Sequence, residues 1–584
     1  MSKFGWVLLG GLSCVACAGG PSGGGGELGK PIAQFPSRGE LDRVAREPTP
    51  LAKPTEGLAD AERWQMESLS PAQPQYPEET TWDKLMVEAV RGHGHTVSLA
   101  PELRCAAQEA ARFYTVHGGM PDEGVREHLL LRCGSILDGH GISYISNTVP
   151  ESVPAAQLEA AARTPLLKHL DERLKGASGQ MALGVARANG RFAAVVLSGT
   201  PRVTLRGFSP IINGNAVTLE GELKDAAQYL VGFVNQGLYG VAHCESDPSQ
   251  RLPKFRITCP ISADDQTARI ELATKQDTRV LLEGVAKVEV RREGSNPEYN
   301  AAAYGTSQTV ATTEQFRSVL FSELNKVRTT AKLPAFSLET QQSITDERLA
   351  PHLYQSFRDG DERQLSTISL GLLAGWDVKG TIRNGGVFFR TTNTARSPSR
   401  WLTQALESPL GRWVLLEPTM SRIGIGATEI QPSGAMAVVT TYAFFDQADH
   451  RADEETVLKE LDRLRKAHGV QPLRRVVGDA ALTQALSKVE SSTMSSAEAM
   501  NSVLQDAAQS TGQGVQGYVV ETTDVKLMKW DPVLVQSSTL DVEVGVTHYR
   551  APGAAWGQYV ILFVVINHGA PVREAKIERR THDF

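Results

Sequence analysis

The sequence predicts an α+β protein of three layered units and one small all-β insert. Three observations predict it. An amphipathic helix, a second helix and a closing glycine-containing hairpin recur in that order three times. Residues 203–292 instead carry short alternating runs separated by turn residues. The chain has 584 residues, enough for about three to five domains.

The N-terminus comes first. Lys3 precedes an apolar run from Phe4 to Leu12, and small residues follow with Cys14 and Cys17 among them. A positive start, a short apolar stretch and a small-residue cleavage region make residues 1–17 an export signal. Cys17 after Val15-Ala16 resembles a bacterial lipobox cysteine, with Cys14 the other choice and a plain secreted chain the alternative. Lipidation would make Cys17 the first mature residue, held in outer-membrane lipid by its acyl chains; Ala18 is not the aspartate that resembles an inner-membrane retention signal. Residues 18–79 open with a Gly-rich run and continue rich in Pro and Glu, so they read as a flexible tether. The remaining cysteines, Cys105, Cys133, Cys244 and Cys259, are even in number in an exported chain and predict two nearest-neighbour disulfides. Their spacing does not fit a zinc site.

The three units span 80–200, 315–446 and 452–570. Their first helices carry apolar stripes at helical spacing: Trp82, Leu85, Met86, Ala89 and Val90; Phe316, Val319, Leu320, Leu324 and Val327; Val457, Leu458, Leu461 and Leu464. A turn with an anchoring leucine follows (Leu99, Leu338, Leu473), then a second helix over 101–116, 340–357 and 479–489. Each unit closes with two strands, the first joined by Asn189-Gly190, a hairpin signal. The 203–292 insert reads as an immunoglobulin-like sandwich stapled by Cys244 and Cys259. Residues 571–584 read as a charged, solvated tail.

The second unit carries a resemblance. Leu324-Asn325-Lys326-Val327-Arg328, Leu333-Pro334, Leu349-Ala350-Pro351-His352-Leu353, the run Trp401 to Pro418 and Ile423-Gly424-Ile425-Gly426 occur in the order found in bacterial CAP domains, the cysteine-rich secretory protein superfamily. The match covers about residues 315–446, and the first and third units resemble it only in outline. The resemblance implies an αβα sandwich, and in many members a cleft with two histidines and two acidic groups that can hold a divalent metal. His352 fits the first histidine. The second falls on Gly411, and the usual Gly-Glu-Asn segment falls at Gly375-Trp376-Asp377. The position of His352 maps to Phe113 in the first unit and near Glu490 in the third. A lone imidazole is a poor metal site, so no cofactor, metal or catalytic residue is expected, and His352 is expected to be a hydrogen-bonded helix residue of a decayed cleft.

Other constellations carry less. His93, His95, His117, His128 and His140 crowd the first unit; His93-Gly94-His95 could bind a metal with a third ligand, but it lies on a Gly-rich turn and reads as solvated loop histidines. Asp122-Glu123 and Asp264-Asp265 read as exposed turn charges. No G-x-S-x-G, H-E-x-x-H, P-loop or dinucleotide motif occurs. Net charge is −6, from 60 Lys+Arg against 66 Asp+Glu, which argues against a nucleic-acid partner. The expected role is a non-catalytic binding or scaffold module at the outer membrane with a protein partner in the cell envelope; an exposed aromatic patch including Trp376 or Trp401 would favour a protein partner, and a further class is a subunit of an envelope machine for motility, secretion or adhesion. The alternative is a lipid or sterol carrier, or a metal-dependent hydrolase-like activity in the central unit.

Overall fold

The computed structural model describes residues 7–8, 36–48 and 58–580, with internal breaks of which the longer are 68–74, 93–96, 276–281, 305–308, 376–380, 431–434, 550–557 and 568–576. The chain opens with β1 (Val7–Leu8), α1 (Arg38–Val44), β2 (Leu58–Ala59) and β3 (Arg63–Gln65). The first unit then runs α2 (Thr81–Gly92), β4 (Val97–Leu99), α3 (Pro101–His117), β5 (Met120–Pro121), α4 (Glu123–Arg132), β6 (Gly141–Thr148), α5 (Ala155–Leu174), β7 (Gly179–Ala188) and β8 (Arg191–Gly199). Its sheet has the order β4-β7-β8-β6, with β4 and β7 parallel. Alternate residues of β8 explain the layering. Ala193, Val195 and Leu197 face the core shared with α3, whereas Phe192, Ala194 and Val196 face α2 and α5. The β7–β8 turn is made at Asn189 (φ 52°) and Gly190 (φ 68°), the left-handed pair that a two-residue hairpin needs.

The insert contains β9 (Val203–Arg206), β10 (Ala216–Leu223), β11 (Tyr229–Gln236), β12 (Gly240–His243), β13 (Glu245–Ser246), β14 (Lys254–Pro260), β15 (Thr267–Lys275) and β16 (Leu282–Arg291). Strands β13-β14-β10-β9 form one sheet, and β12-β11-β15-β16 lie in another. Leu219, Ile257 and Cys259 of the first meet Ile270, Leu272 and Val288 of the second in one core. Cys244 pairs with Cys259, and in the first unit Cys105 pairs with Cys133.

After β17 (Glu298–Asn300) the central unit runs α6 (Thr313–Thr330), β18 (Ser337–Leu338), α7 (Thr340–Asp359), α8 (Glu362–Leu373), β19 (Thr381–Thr392), α9 (Pro398–Glu407), α10 (Pro409–Leu415), β20 (Arg422–Ile430) and β21 (Ala435–Asp446). Its strands are ordered β18-β20-β21-β19, with β18 and β20 parallel. β1 pairs with both β16 and β19 and so joins the insert and central sheets. The third unit runs α11 (His450–Ala467), β22 (Arg474–Arg475), α12 (Ala480–Glu490), α13 (Ser496–Thr511), β23 (Gly514–Thr522), α14 (Pro532–Gln536), β24 (Leu540–Tyr549), β25 (Gln558–Asn567) and β26 (Ile577–Arg580). Its sheet is β22-β24-β25-β23-β26, again with the short strand β22 parallel to the first hairpin strand. In all three units a helix, a short parallel edge strand, a second helix and an antiparallel hairpin build a sheet between two helical layers.

Two details make the likeness of the units specific. A Cβ on Gly184 of β7 would lie 2.1 Å from Ala107 C and Gln108 N of α3, and one on Gly426 of β20 would lie 2.1 Å from Asp346 C and Glu347 N of α7. Glycine is required where the hairpin meets the second-helix backbone. In the last turn of the first helix, buried Arg328 donates to the Pro334, Leu415, Glu417 and Met420 carbonyls. Buried Arg465 of the third unit donates likewise to Gln471, Leu534 and Ser537.

Two expectations need correction. The stretch 18–79 is not all tether. α1 buries Leu41 and Val44 against the central unit, and β3 pairs with β17 while Trp64 and Met66 enter the first unit's core. These are two-residue apolar anchors, too short for a periodicity signal. The C-terminal run is not all solvated tail, because β26 adds parallel to β23.

Candidate functional site

Phe113 lies six residues beyond the Gly184 contact on α3, and His352 six residues beyond the Gly426 contact on α7. The two side chains therefore occupy the same place in their units. Glu490 ends α12 and is exposed. Each of the first two positions is covered by the N-terminal segment. Trp64 packs edge-on against Phe113 at 4.9 Å between ring centroids, and its Nε1 donates to Glu109. His352 is only 6% exposed, and its imidazole donates to the Ala45 carbonyl just beyond α1. Burial lowers the His352 pKa, against the pull of Glu47 and the Ala45 carbonyl.

Gly411, where the resemblance put a second histidine, is packed more tightly still. A Cβ on Gly411 would lie 1.9 Å from the Ala405 carbonyl oxygen, so this backbone admits no side chain. The Ser408-to-Arg412 turn is used for docking instead. Glu271 of β15 accepts from Ser408 Oγ and from Leu410 N at 3.2 Å. Arg412 donates to the Leu406 carbonyl and to Gly237 and Gly240 in the β11–β12 hairpin. The Ser408-to-Arg412 turn thereby holds the insert against the central unit. Among the described residues no group of three or more His, Cys, Asp or Glu could hold a metal ion.

The densest chemistry lies where α4, the insert and the central unit meet. Arg390 of β19 reaches Glu123 at 3.0 Å, and Arg400 of α9 reaches Asp122 at 2.7 Å. Lys287 of β16 lies 3.2 Å from Glu127, 3.3 Å from Asp138 and 4.0 Å from Glu271. Arg132 pairs with Glu289 at 2.8 Å, and Arg269 with Glu407 at 3.4 Å. Burial would raise the Glu127 pKa, but Lys287 and Arg269 outweigh it and hold the carboxyl at about 2. Burial pushes Glu271 up to about 7 despite Lys287, and pushes His140 down to about 3, helped by Arg126. A cavity of about 10 Å³ between these groups, lined by Glu123, Glu127, Asp138, His140 and Lys287, has room for one water.

This junction overturns the reading of Asp122-Glu123 and buries two histidines that the sequence only counted. Asp122 and Glu123 are not exposed turn charges; Asp122 caps α4 and both are buried. His128 and His140 are buried, and His117 stacks on Phe113 at 4.2 Å. His93, His95, Trp376 and Asp377 lie outside the described residues. Trp401 is fully buried, so it forms no exposed patch; its indole packs against Phe388. Sequence patterning missed α4 because every residue from Glu123 to Arg132 is buried, which erases any apolar stripe. The retrievable signal was Asp122, an N-cap residue before a helical run.

No family model matches the sequence, and no curated protein matches it. Among solved structures the chain is similar to an extracellular SCP-domain protein of Bacillus anthracis str. Ames, at 13% identity over 40% of this chain and 78% of that one, TM-score 0.18. It is also similar to a cysteine-rich secretory protein of Staphylococcus aureus subsp. aureus Mu50, at 8% identity over 42% and 83%, TM-score 0.17. Likenesses this partial add nothing to the geometry above. No helix among the described residues is long and apolar enough to cross a membrane.

Proposed function

We propose that the chain is an exported, Cys17-lipidated scaffold of three CAP-like units that binds a protein partner at the outer membrane and performs no chemistry of its own. The observation that carries this reading is Gly411. The backbone there excludes a second histidine, and its turn clamps the insert instead. The His352 imidazole is committed to the Ala45 carbonyl. The buried junction supports the scaffold half of the reading. Buried ion pairs add little net stability, because desolvation cancels most of the attraction, but breaking one partner costs about 3–5 kcal/mol. Such a junction fixes how three modules sit, and a fixed array of sites raises the effective concentration of the second contact once the first is made. Cleavage before Cys17 would also take β1 out of the sheet.

Two experiments test the proposal together. Radiolabelled palmitate should mark the wild-type chain and not Cys17→Ala. Crosslinking in cells followed by mild detergent extraction should recover the chain in a discrete complex, reduced when Arg390→Met opens the junction. A monomer that hydrolyses an ester or peptide in a His352-dependent way would overturn the reading in favour of the hydrolase.

A further inference from the structure

The N-terminal segment covers equivalent positions in two units, but not with equal strength. At Phe113 the cover is a ladder strand, β3 on β17, plus Trp64 held by Glu109 and by Arg112 at 4.1 Å over its ring. At His352 the cover is α1, seven residues long. Leu41 and Val44 are its apolar anchors. Two such side chains bury little apolar surface against the entropy of ordering seven residues. Polar contacts complete the cover: the Ser37–Glu40 capping box closes the helix N-terminus and His352 donates to the Ala45 carbonyl, while the side-chain contacts to α7 and α8 are longer. Arg348 lies 3.4 Å from Asp42, Arg38 donates to Thr345 at 3.3 Å, and Gln364 donates to Glu47 at 3.4 Å. An isolated helix this short has no stability of its own. The groove beneath it is nonetheless shaped for a helix. A Cβ on Gly371 of α8 would lie 2.2 Å from Leu41 Cδ2, so the glycine leaves a socket for a leucine side chain.

We propose that the α7–α8 groove over His352 is a helix-binding site, occupied by the chain's own α1 and open to a partner's amphipathic helix when α1 leaves. The partner helix carries a leucine-sized residue for the Gly371 socket, an acidic residue next to it for Arg348, and a valine-sized residue three positions after the first. These are the positions of Leu41, Asp42 and Val44. The proposal deepens the scaffold reading by naming the class of partner. It fails separately, because peptide binding and His352 reactivity test this groove alone, whereas loss of the co-extracted complex would sink the scaffold reading.

The test uses the full chain and a fluorescein-labelled peptide with the sequence of residues 36–48. Leu41→Asp in the chain should release α1, so the peptide should bind that variant at least tenfold more tightly than wild type. His352 should be carbethoxylated faster in Leu41→Asp than in wild type, and the added peptide should protect it again. A charge swap guards against a variant that merely unfolds. Arg348→Glu combined with Leu41→Asp should lose the wild-type peptide and regain affinity for a peptide carrying Asp42→Lys. Equal His352 reactivity in wild type and Leu41→Asp would overturn the proposal. So would a folded Leu41→Asp chain, judged by its circular dichroism and melting, that ignores the peptide.

Discussion

His140 sits neutral beside a dense set of buried charges because its imidazole is held at about 3. The unfolded imidazole titrates near 6.5. Between those values the unfolded chain binds more protons, so this group's contribution is present above about pH 6.5 and lost as pH falls toward 3. Glu127, held at about 2, acts in the same direction below about pH 4.5. Glu271, raised to about 7, acts oppositely: its penalty is absent below about pH 4.5 and grows as pH rises through 7. His140→Gln should therefore lose less stability than wild type between pH 7 and pH 4, by an amount on the order of a few kcal/mol, measured by melting both proteins at each pH. Equal acid losses would contradict the assignment. Gly411 makes a second prediction. Gly411→His should not rebuild a metal site; it should destabilise the central unit by about 1–3 kcal/mol or more, since its Cβ meets the Ala405 carbonyl. Thermal melts with and without zinc would show a lowered midpoint that the metal does not restore.

At the scale of elements, the first helices and the closing hairpins were legible because apolar stripes and strand glycines are local patterns. The stripe of α6 and Gly426 of β20 are visible one window at a time. The junction was not legible. Glu123 and Arg390 are 267 residues apart, and a buried charge reads like a surface charge until its partner is known. Of the cleft, His352 was placed on its helix, but nothing near α1 announced that Leu41 and Ala45 would cover it. The shared geometry gives an element-level prediction. Gly184→Ala and Gly426→Ala should each destabilise their own unit by roughly 1–3 kcal/mol or more, because the methyl meets helix backbone that cannot move aside. Arg328→Lys should cost several hydrogen bonds to the Leu415, Glu417 and Met420 carbonyls, about 2–4 kcal/mol, and Arg465→Lys should do the same in the third unit. Urea melts followed by unit-specific hydrogen exchange would place each loss.

For the whole molecule, the junction turns the first unit, the insert and the central unit into one body. Arg390→Met should lower stability by about 3–5 kcal/mol and widen the small-angle scattering profile, because buried Glu123 loses the cation paired with it at 3.0 Å, the largest of the charges that hold it ionised. Adding Glu123→Leu should recover most of the loss, since removing both charges also removes the desolvation cost. The same architecture packs Trp64 against Phe113 and seats the Ala45 carbonyl on His352. Crystals of the full chain grown with zinc, analysed by anomalous scattering, test that directly. The expected map shows Phe113 and His352 superposing on their second helices, the His352 imidazole still on the Ala45 carbonyl, and no zinc peak beside it. A zinc ion coordinated by His352 and neighbouring carboxylates would contradict the account.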